Sequence, residues 1–140
     1  MSPVHAGVEP VQRACGTPSA ALTCLMTTPS GTFRMRARLL RQRSDPQAVI
    51  AAITDRSGVV HIWVVGRDLL EAGLSAPASS PARRDRVWIW TTWTSPGPGD
   101  RKLMVARATP SFQVLELDWT WVGAFLARRR AEAGAAAARR

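Results

Sequence analysis

The side chains that could do chemistry in this chain are few, and their spacing does not assemble a catalytic site. The one histidine in the middle of the sequence, His61, lies between Val60 and Ile62 in a β-like run. A general base needs a nucleophile and an orienting partner, and we recognise no Ser/His/Asp or Cys/His spacing. Asp68 and Glu71 stand one helical turn apart, which is typical of a solvated helix face. The sequence therefore predicts a protein that is not an enzyme.

Metal and cofactor binding are not indicated either. The candidate ligands offer no pair at the spacing of metal ligands; they are His5, His61, Cys15 and Cys24. No glycine-rich phosphate loop occurs, so we expect no cofactor. Two cysteines without a disulfide framework indicate free thiols in a reducing compartment. Because we find no secretory signal and no interval apolar enough to span a bilayer, we expect a cytoplasmic protein with no transmembrane segment.

The chain carries six tryptophans and no tyrosine. They are Trp63, Trp88, Trp90, Trp93, Trp119 and Trp121. Six large rings are more than one small core comfortably buries, and tryptophan anchors are enriched at protein interfaces. The candidate partner or subunit interface is therefore Trp88, Trp90, Trp93 and Trp121, whereas Trp63 is assigned to the core. The alternative that all six rings pack between sheets stays open.

An arginine row forms a second candidate surface. From Thr32 to Leu40 apolar residues alternate with Arg34, Arg36 and Arg38, which is the period of a half-exposed strand. Together with exposed tryptophans, such a basic face could bind single-stranded nucleic acid through phosphate contacts and base stacking. The formal charge of +9 lies outside the middle of the chain, however, since residues 44–127 contain eight basic and eight acidic residues. This distribution makes nucleic acid the less favoured partner.

The element that organises the chain is a β-hairpin followed by a short helix. Residues 48–54 form an apolar strand after the break at Asp45–Pro46. Residues 55–58 form a turn that ends in a glycine suited to a left-handed position, and residues 59–65 return as a strand. Residues 66–72 then form about two turns of helix, with Gly73 placed to cap its C-terminus.

The remaining elements are predicted from alternating apolar and polar residues and from the turn-forming residues between them. Strands are predicted over residues 20–26, 32–40, 87–94, 103–109 and 112–117, with a surface loop over 75–84. A last helix runs from Trp119 to about Arg130, with Asp118 as its N-cap. Strand runs punctuated by single helices indicate an α+β fold with antiparallel sheets. We expect a disordered tail over 1–19, one folded domain over 20–130 and a basic Ala/Arg-rich tail over 131–140.

The ordered set of motifs resembles the SsgA-like family of small actinobacterial regulators of sporulation and cell division. The residues of the organising unit that carry this resemblance are Asp45, Pro46, Ala48, Val49, Trp63, Arg67, Asp68, Leu69, Leu70, Gly73 and Leu74. The match continues through Asp85-Arg86-Val87-Trp88, then Leu115-Glu116 and finally Phe125-Leu126. The resemblance covers about residues 20–130.

This resemblance implies both a fold and a role. The fold would be two antiparallel β-sheets packed with two or three helices in a Whirly-like arrangement, associating as a homotrimer. The role would be that of a non-enzymatic adaptor in sporulation-specific cell division, which helps to place or time septum formation. Its partners would be other copies of itself and a division protein such as FtsZ or another SsgA-like protein. It would be recruited from the cytoplasm to the division septum during the cell cycle.

Overall fold

The computed structural model describes residues 20–93 and 101–138, with side chains up to Arg128. Within these ranges eight strands and two helices follow one another along the chain. Their bounds are β1 Leu22–Thr28, β2 Gly31–Gln42, β3 Asp45–Thr54, β4 Val60–Gly66, α1 Arg67–Gly73, β5 Ala82–Arg84, β6 Val87–Trp93, β7 Arg101–Arg107, β8 Gln113–Asp118 and α2 Trp119–Ala138. The predicted tail over 1–19 lies outside the described residues.

All eight strands belong to one antiparallel sheet, in the order β4-β3-β2-β1-β8-β7-β6-β5. The predicted α+β class is confirmed, but the prediction of two sheets is wrong. The reason is β1, which uses both of its edges: Leu25 pairs with Arg34 of β2 on one side and with Glu116 of β8 on the other. This strand joins the two halves of the sheet into one. The Whirly-like description stays a prediction.

The sheet has an inner face that carries the core and an outer face opposite to it. Alternate residues of the strands point inward, among them Met26, Trp63 and Leu115, and form one buried apolar cluster. Both helices add buried side chains to this cluster, for example Leu69 of α1 and Phe125 of α2. The two helices therefore pack on the inner face.

The β3–β4 hairpin forms as predicted. Its turn closes with a hydrogen bond from the Asp55 N–H to the Val59 carbonyl (2.9 Å) and one from the Gly58 N–H to the Asp55 carbonyl (3.1 Å). Gly58 has φ +87°, the left-handed conformation that glycine adopts without steric cost. The outer face of this hairpin carries a small second cluster of Leu40, Ile50 and Ala52, against which Ile62 packs.

Helix α1 follows β4 directly and bridges the two ends of the sheet, because it contacts β3 and β4 as well as β5 and β6. This bridging curls the sheet around the core. The short strand β5 lies in the interval predicted to be only a loop. It pairs with β6 across the turn Asp85–Arg86, in which Asp85 has φ +53°.

The predicted role of Gly73 as a C-terminal cap is wrong. Gly73 is the last residue of α1, and the cap is Leu74 in right-handed helical conformation with φ −59°. A Cβ at Gly73 would lie 2.2 Å from Cγ2 of Ile89. Glycine is required here by the close approach of β6 and not by backbone handedness.

Helix α2 begins as predicted and ends later. The Trp121 N–H donates to Oδ1 of Asp118 (2.8 Å), which confirms the N-cap. Val122, Phe125 and Leu126 are buried in the core. The helix continues to Ala138, beyond the predicted end near Arg130, because the alanine-rich sequence has high helix propensity.

Candidate interaction surfaces

The turn between β3 and β4 brings a serine, an aspartate and a histidine together. Oδ1 of Asp55 accepts hydrogen bonds from the Ser57 hydroxyl (2.7 Å) and from the backbone N–H groups of Ser57 and Val59. Oδ2 of Asp55 lies 3.1 Å from Nε2 of His61. Sequence reasoning missed this cluster, although an aspartate two residues before a serine is a common turn signal.

The arrangement of this cluster does not suit nucleophilic catalysis. In a catalytic triad the histidine takes the proton of the serine and the aspartate orients the histidine. Here the carboxylate of Asp55 accepts both hydrogen bonds, and Ser57 bonds to the carboxylate instead of to His61. The Ser57 hydrogen bond, followed by that of His61, lowers the pKa of Asp55 to about 2. The cluster therefore stabilises the turn.

This low pKa predicts a pH-dependent contribution to stability. An unfolded aspartate titrates near pH 3.9, so the ionised Asp55 stabilises the fold at neutral pH. That contribution is lost as the pH falls from about 4 to about 2. We expect Asp55→Asn to unfold at lower urea concentration than wild type at pH 7, with the difference narrowing below pH 4. Ser57→Ala removes the hydroxyl that donates to Asp55, so the pKa of Asp55 should rise in an NMR titration of this variant. An unchanged difference at pH 3 would contradict this explanation.

The carboxylates of α1 are paired. Asp68 forms a bidentate salt bridge with Arg84 of β5, with Nη1–Oδ1 at 2.9 Å and Nη2–Oδ2 at 2.7 Å. Glu71 accepts from Nε of Arg67 at 3.0 Å. The hydrogen bond from Arg84 lowers the pKa of Asp68. Asp68 therefore joins α1 to β5, whereas the Arg67–Glu71 pair lies within α1. Across the described ranges, no group of His, Cys, Asp and Glu could hold a metal ion.

The family-pattern residues divide into a buried and an exposed set. The buried ones are Ala48, Val49, Trp63, Leu69, Leu70 and Gly73. Arg67 and Leu74 are partly buried, and Asp45, Pro46 and Asp68 are exposed. Oδ1 of Asp45 accepts from the Gln47 N–H (3.1 Å) at the start of β3. The pattern therefore marks mainly the docking of β3, β4 and α1.

The carbonyl groups at the end of α1 are satisfied by side chains that the sequence did not single out. The carbonyl oxygen of Leu74 accepts from Nε1 of Trp119 (2.7 Å), from the Thr91 hydroxyl (3.0 Å) and from Nη2 of Arg101 (3.4 Å). The Thr91 hydroxyl is also 3.0 Å from the carbonyl oxygen of Gly73. These contacts tie α1 to β6, β7 and α2 at one point.

Two arginines lie against tryptophan rings near the core. Arg101 stacks on Trp119 with 4.2 Å between the guanidinium carbon and the ring centre, and lies 5.3 Å from the ring of Trp93. Arg107 lies 3.9 Å from the ring centre of Trp63 and donates to Oε1 of Gln113 (2.9 Å). Burial lowers the pKa of Arg107. Both stacks shield aromatic faces from water.

The four tryptophans of the candidate interface do not form one surface. Trp88 and Trp90 lie on the outer face of β6, where they pair with Ala106 and Met104 of β7. Trp93 is at the end of β6 and is 55% exposed. Trp121 packs against the core cluster, and Trp63 is buried as predicted. Two separate surfaces, one at Trp88–Trp90 and one at Trp93, are thus available.

The arginine row is exposed as predicted. Arg34, Arg36 and Arg38 lie on the outer face of β2, and none forms an ion pair with another residue of the part that the structure describes. Strand β6 is four strands away, which is about 19 Å along the sheet. Glu116 of β8 lies on the outer face between them. The arginines and the outer tryptophans therefore do not form the continuous platform that the nucleic-acid alternative needs.

Comparison with known proteins identifies the family. A family model described as "Streptomyces sporulation and cell division protein, SsgA" matches residues 35–135. A structure described as "Mutations in SsgB correlate to longitudinal cell division during sporulation of Streptomyces coelicolor" is 26% identical, with a TM-score of 0.68 over 85% of this chain and 90% of that chain. An SsgA-like sporulation-specific cell division protein from Thermobifida fusca shares the fold at 22% identity, with a TM-score of 0.66 over 81% and 80%.

Among curated proteins, none matches the chain. No helix in the described ranges has the length and apolar character needed to cross a membrane. The family model spans more than two thirds of the sequence, and the first of these structures shares the fold over most of both chains. The chain therefore belongs to the SsgA family of sporulation and cell division proteins.

Proposed function

We propose that this protein is a non-enzymatic adaptor in sporulation-specific cell division, where it helps to place or time the septum through contacts with other proteins. Family membership supports the process. The observation that carries the adaptor role is the outer face of the sheet. Both helices contribute their buried side chains to the inner face, so the outer face offers its own side chains for contacts.

The outer face has the composition of a protein-binding surface. Trp88 and Trp90 lie beside Met104, and aromatic rings and methionine are enriched at interfaces. On the other half of the sheet, Val64 is 62% exposed next to Ile50. We propose the outer-face tryptophans as the subunit or partner interface, with exposed Trp93 as a second contact point. Trp121 packs on the core and contributes less.

We further propose that the protein assembles as a homotrimer in the cytoplasm and is recruited to the division septum. Three copies present each partner site three times. Binding to a clustered division protein then becomes partly intramolecular, and this multivalency raises the apparent affinity without any new contact. The partner we propose is FtsZ or another SsgA-like protein.

Affinity capture tests the adaptor role. Tagged full-length protein should capture a division protein from a sporulating culture, and treatment of the lysate with nuclease should leave the capture unchanged. The test variant is Trp88→Glu with Trp90→Glu, which should reduce the capture while thermal unfolding stays cooperative. Recovery of nucleic acid alone, with no division protein, would contradict the proposal.

The arginine row supports the nucleic-acid alternative, because three exposed cations on one strand attract phosphate. In that alternative the purified protein carries nucleic acid, and its affinity falls steeply as salt is raised. The separation of the arginines from Trp88 and Trp90 favours the adaptor role instead.

A further inference from the structure

One edge of β2 lacks a neighbouring strand over part of its length. From Gly31 to Met35, β2 pairs with β1, whereas its pairing with β3 begins only at Arg36, opposite Thr54. Strand β3 ends there and the chain turns away. Within the described residues, about 16 Å of strand edge is therefore open. We call the segment Gly31–Met35 the free edge.

A hollow lies on each side of the free edge. The inner hollow has a volume of about 500 Å³, and its apolar wall includes Met26, Phe33 and Met35. Phe33 remains 43% exposed. Such a volume falls in the range of ligand-binding clefts. His61 and Gln113 add polar groups to its lining.

The outer hollow has a volume of about 480 Å³ and adjoins the inner one, with which it shares Arg34, Met35, Asp55 and Arg56. Arg34 and Arg36 line it from β2, and Arg56 lines it from the β3–β4 turn. None of these arginines forms an ion pair with another described residue. The one carboxylate present, Asp55, is already occupied by hydrogen bonds from Ser57, Val59 and His61. Three arginines against one carboxylate leave the hollow with an excess of positive charge.

We propose that the free edge binds an extended segment of a partner protein in which acidic and apolar residues alternate. Side chains of a strand point alternately to its two faces. A segment added at this edge would place its apolar side chains in the inner hollow and its carboxylates beside Arg34, Arg36 and Arg56. Its backbone would pair with β2, as in other cases of strand addition. This inference rests on the proposed adaptor function and names the chemistry of the partner.

We assign the occupant to a partner protein, because neither terminal segment of the given sequence alternates acidic and apolar residues. Residues 1–19 contain one carboxylate, Glu9, and the alanine-rich last ten residues contain one, Glu132. A plainer explanation for Arg34 is that a charged residue on an open edge prevents aggregation. That explanation does not account for the half-exposed Phe33 or for the two further arginines that line the same hollow.

The test uses fluorescence polarisation with the full chain and a short labelled peptide that alternates glutamate with valine. We expect saturable binding that weakens with added salt. Arg34→Glu with Arg36→Glu should weaken binding at least about tenfold, and Phe33→Ala should weaken it as well. Arg43→Glu is the matched control, because Arg43 is exposed in the turn at the opposite end of β2 and should have no effect. Circular dichroism confirms that each variant is folded.

N-methylated peptides test the strand pairing itself. Methylation of every second amide blocks hydrogen bonding along one edge of the peptide. Methylation of the amides that face β2 should therefore abolish binding, whereas methylation of the amides that face away from β2 should not. Equal binding of both methylated peptides, equal binding of a lysine-valine peptide, or no binding at all would overturn the inference. If capture of a division protein survives Arg34→Glu with Arg36→Glu in full, the free edge fails as the partner site while the adaptor role stands.

Discussion

Replacement of Trp63 by alanine is expected to remove a large share of the stability of the fold. The ring is 2% exposed at the centre of the core, and truncation of a buried tryptophan costs about 3–5 kcal/mol. The substitution also removes the aromatic face on which Arg107 lies, 3.9 Å from the ring centre. Because domains of this size have stabilities of about 5–15 kcal/mol, this loss is a large share of the total. Urea denaturation, monitored by far-UV circular dichroism, measures the loss in the free energy of unfolding.

Trp93→Ala is the matched control for this prediction. Its ring is 55% exposed and contacts Arg101 at 5.3 Å. We expect a loss of at most about 1 kcal/mol, which corresponds to an exposed cation–π contact. Should Trp63→Ala fail to fold, Trp63→Phe keeps a ring in the same site and should show an intermediate loss. Equal effects at Trp63 and Trp93 would contradict the assignment of the core.

Gly73→Ala should destabilise the protein although alanine is the better helix former. The new Cβ would lie 2.2 Å from Cγ2 and 2.7 Å from Cβ of Ile89, so α1 or β6 must shift. Overpacking of this kind costs about 1–3 kcal/mol. The urea midpoint should fall accordingly. In a double-mutant cycle with Ile89→Ala, the combined loss should be smaller than the sum of the two single losses, because the two substitutions are coupled.

Gly123→Ala separates packing from helix propensity. Gly123 lies inside α2, and among the described residues no atom outside its own helix lies within 4 Å of the position that a Cβ would take there. Alanine should therefore raise the free energy of unfolding by about 0.5–1 kcal/mol. A stabilising effect at both glycines would show that Gly73 has no steric conflict with Ile89.

The elements defined by local patterns were predictable from the sequence. The β3–β4 hairpin follows from apolar β-branched residues and from the glycine at position 58, whose φ is +87°. The alternation around Arg36 correctly gave the buried and exposed faces of β2. Asp118 correctly marked the start of α2. In each case the deciding interaction lies within a few residues of the signal.

The features that depend on distant pairing were not predictable. Nothing in β1 indicates that Leu25 will pair with Glu116, which is what makes one sheet out of two halves. Strand β5 exists because Arg83 pairs with Trp88 and because Arg84 bonds to Asp68 of α1, and its own sequence reads as a loop. Likewise, the need for glycine at position 73 comes from a neighbour on β6.

The candidate surfaces, too, were predictable only where they depend on local sequence. The exposure of the arginine row was predictable from its period, but its separation from Trp88 and Trp90 by four strands depends on strand order. The free edge of β2 arises because the pairing of β2 with β1 extends further than its pairing with β3. Register of this kind is set by the whole sheet.

Light scattering coupled to size-exclusion chromatography tests most directly the claim that this is a self-associating, protein-binding module. Three chains of 15.2 kDa predict a particle of about 46 kDa that is free of nucleic acid. Trp88→Glu with Trp90→Glu should shift the mass to that of a single chain while the protein remains folded. A monomeric wild-type protein, or one whose absorbance ratio shows bound nucleic acid, would contradict the account.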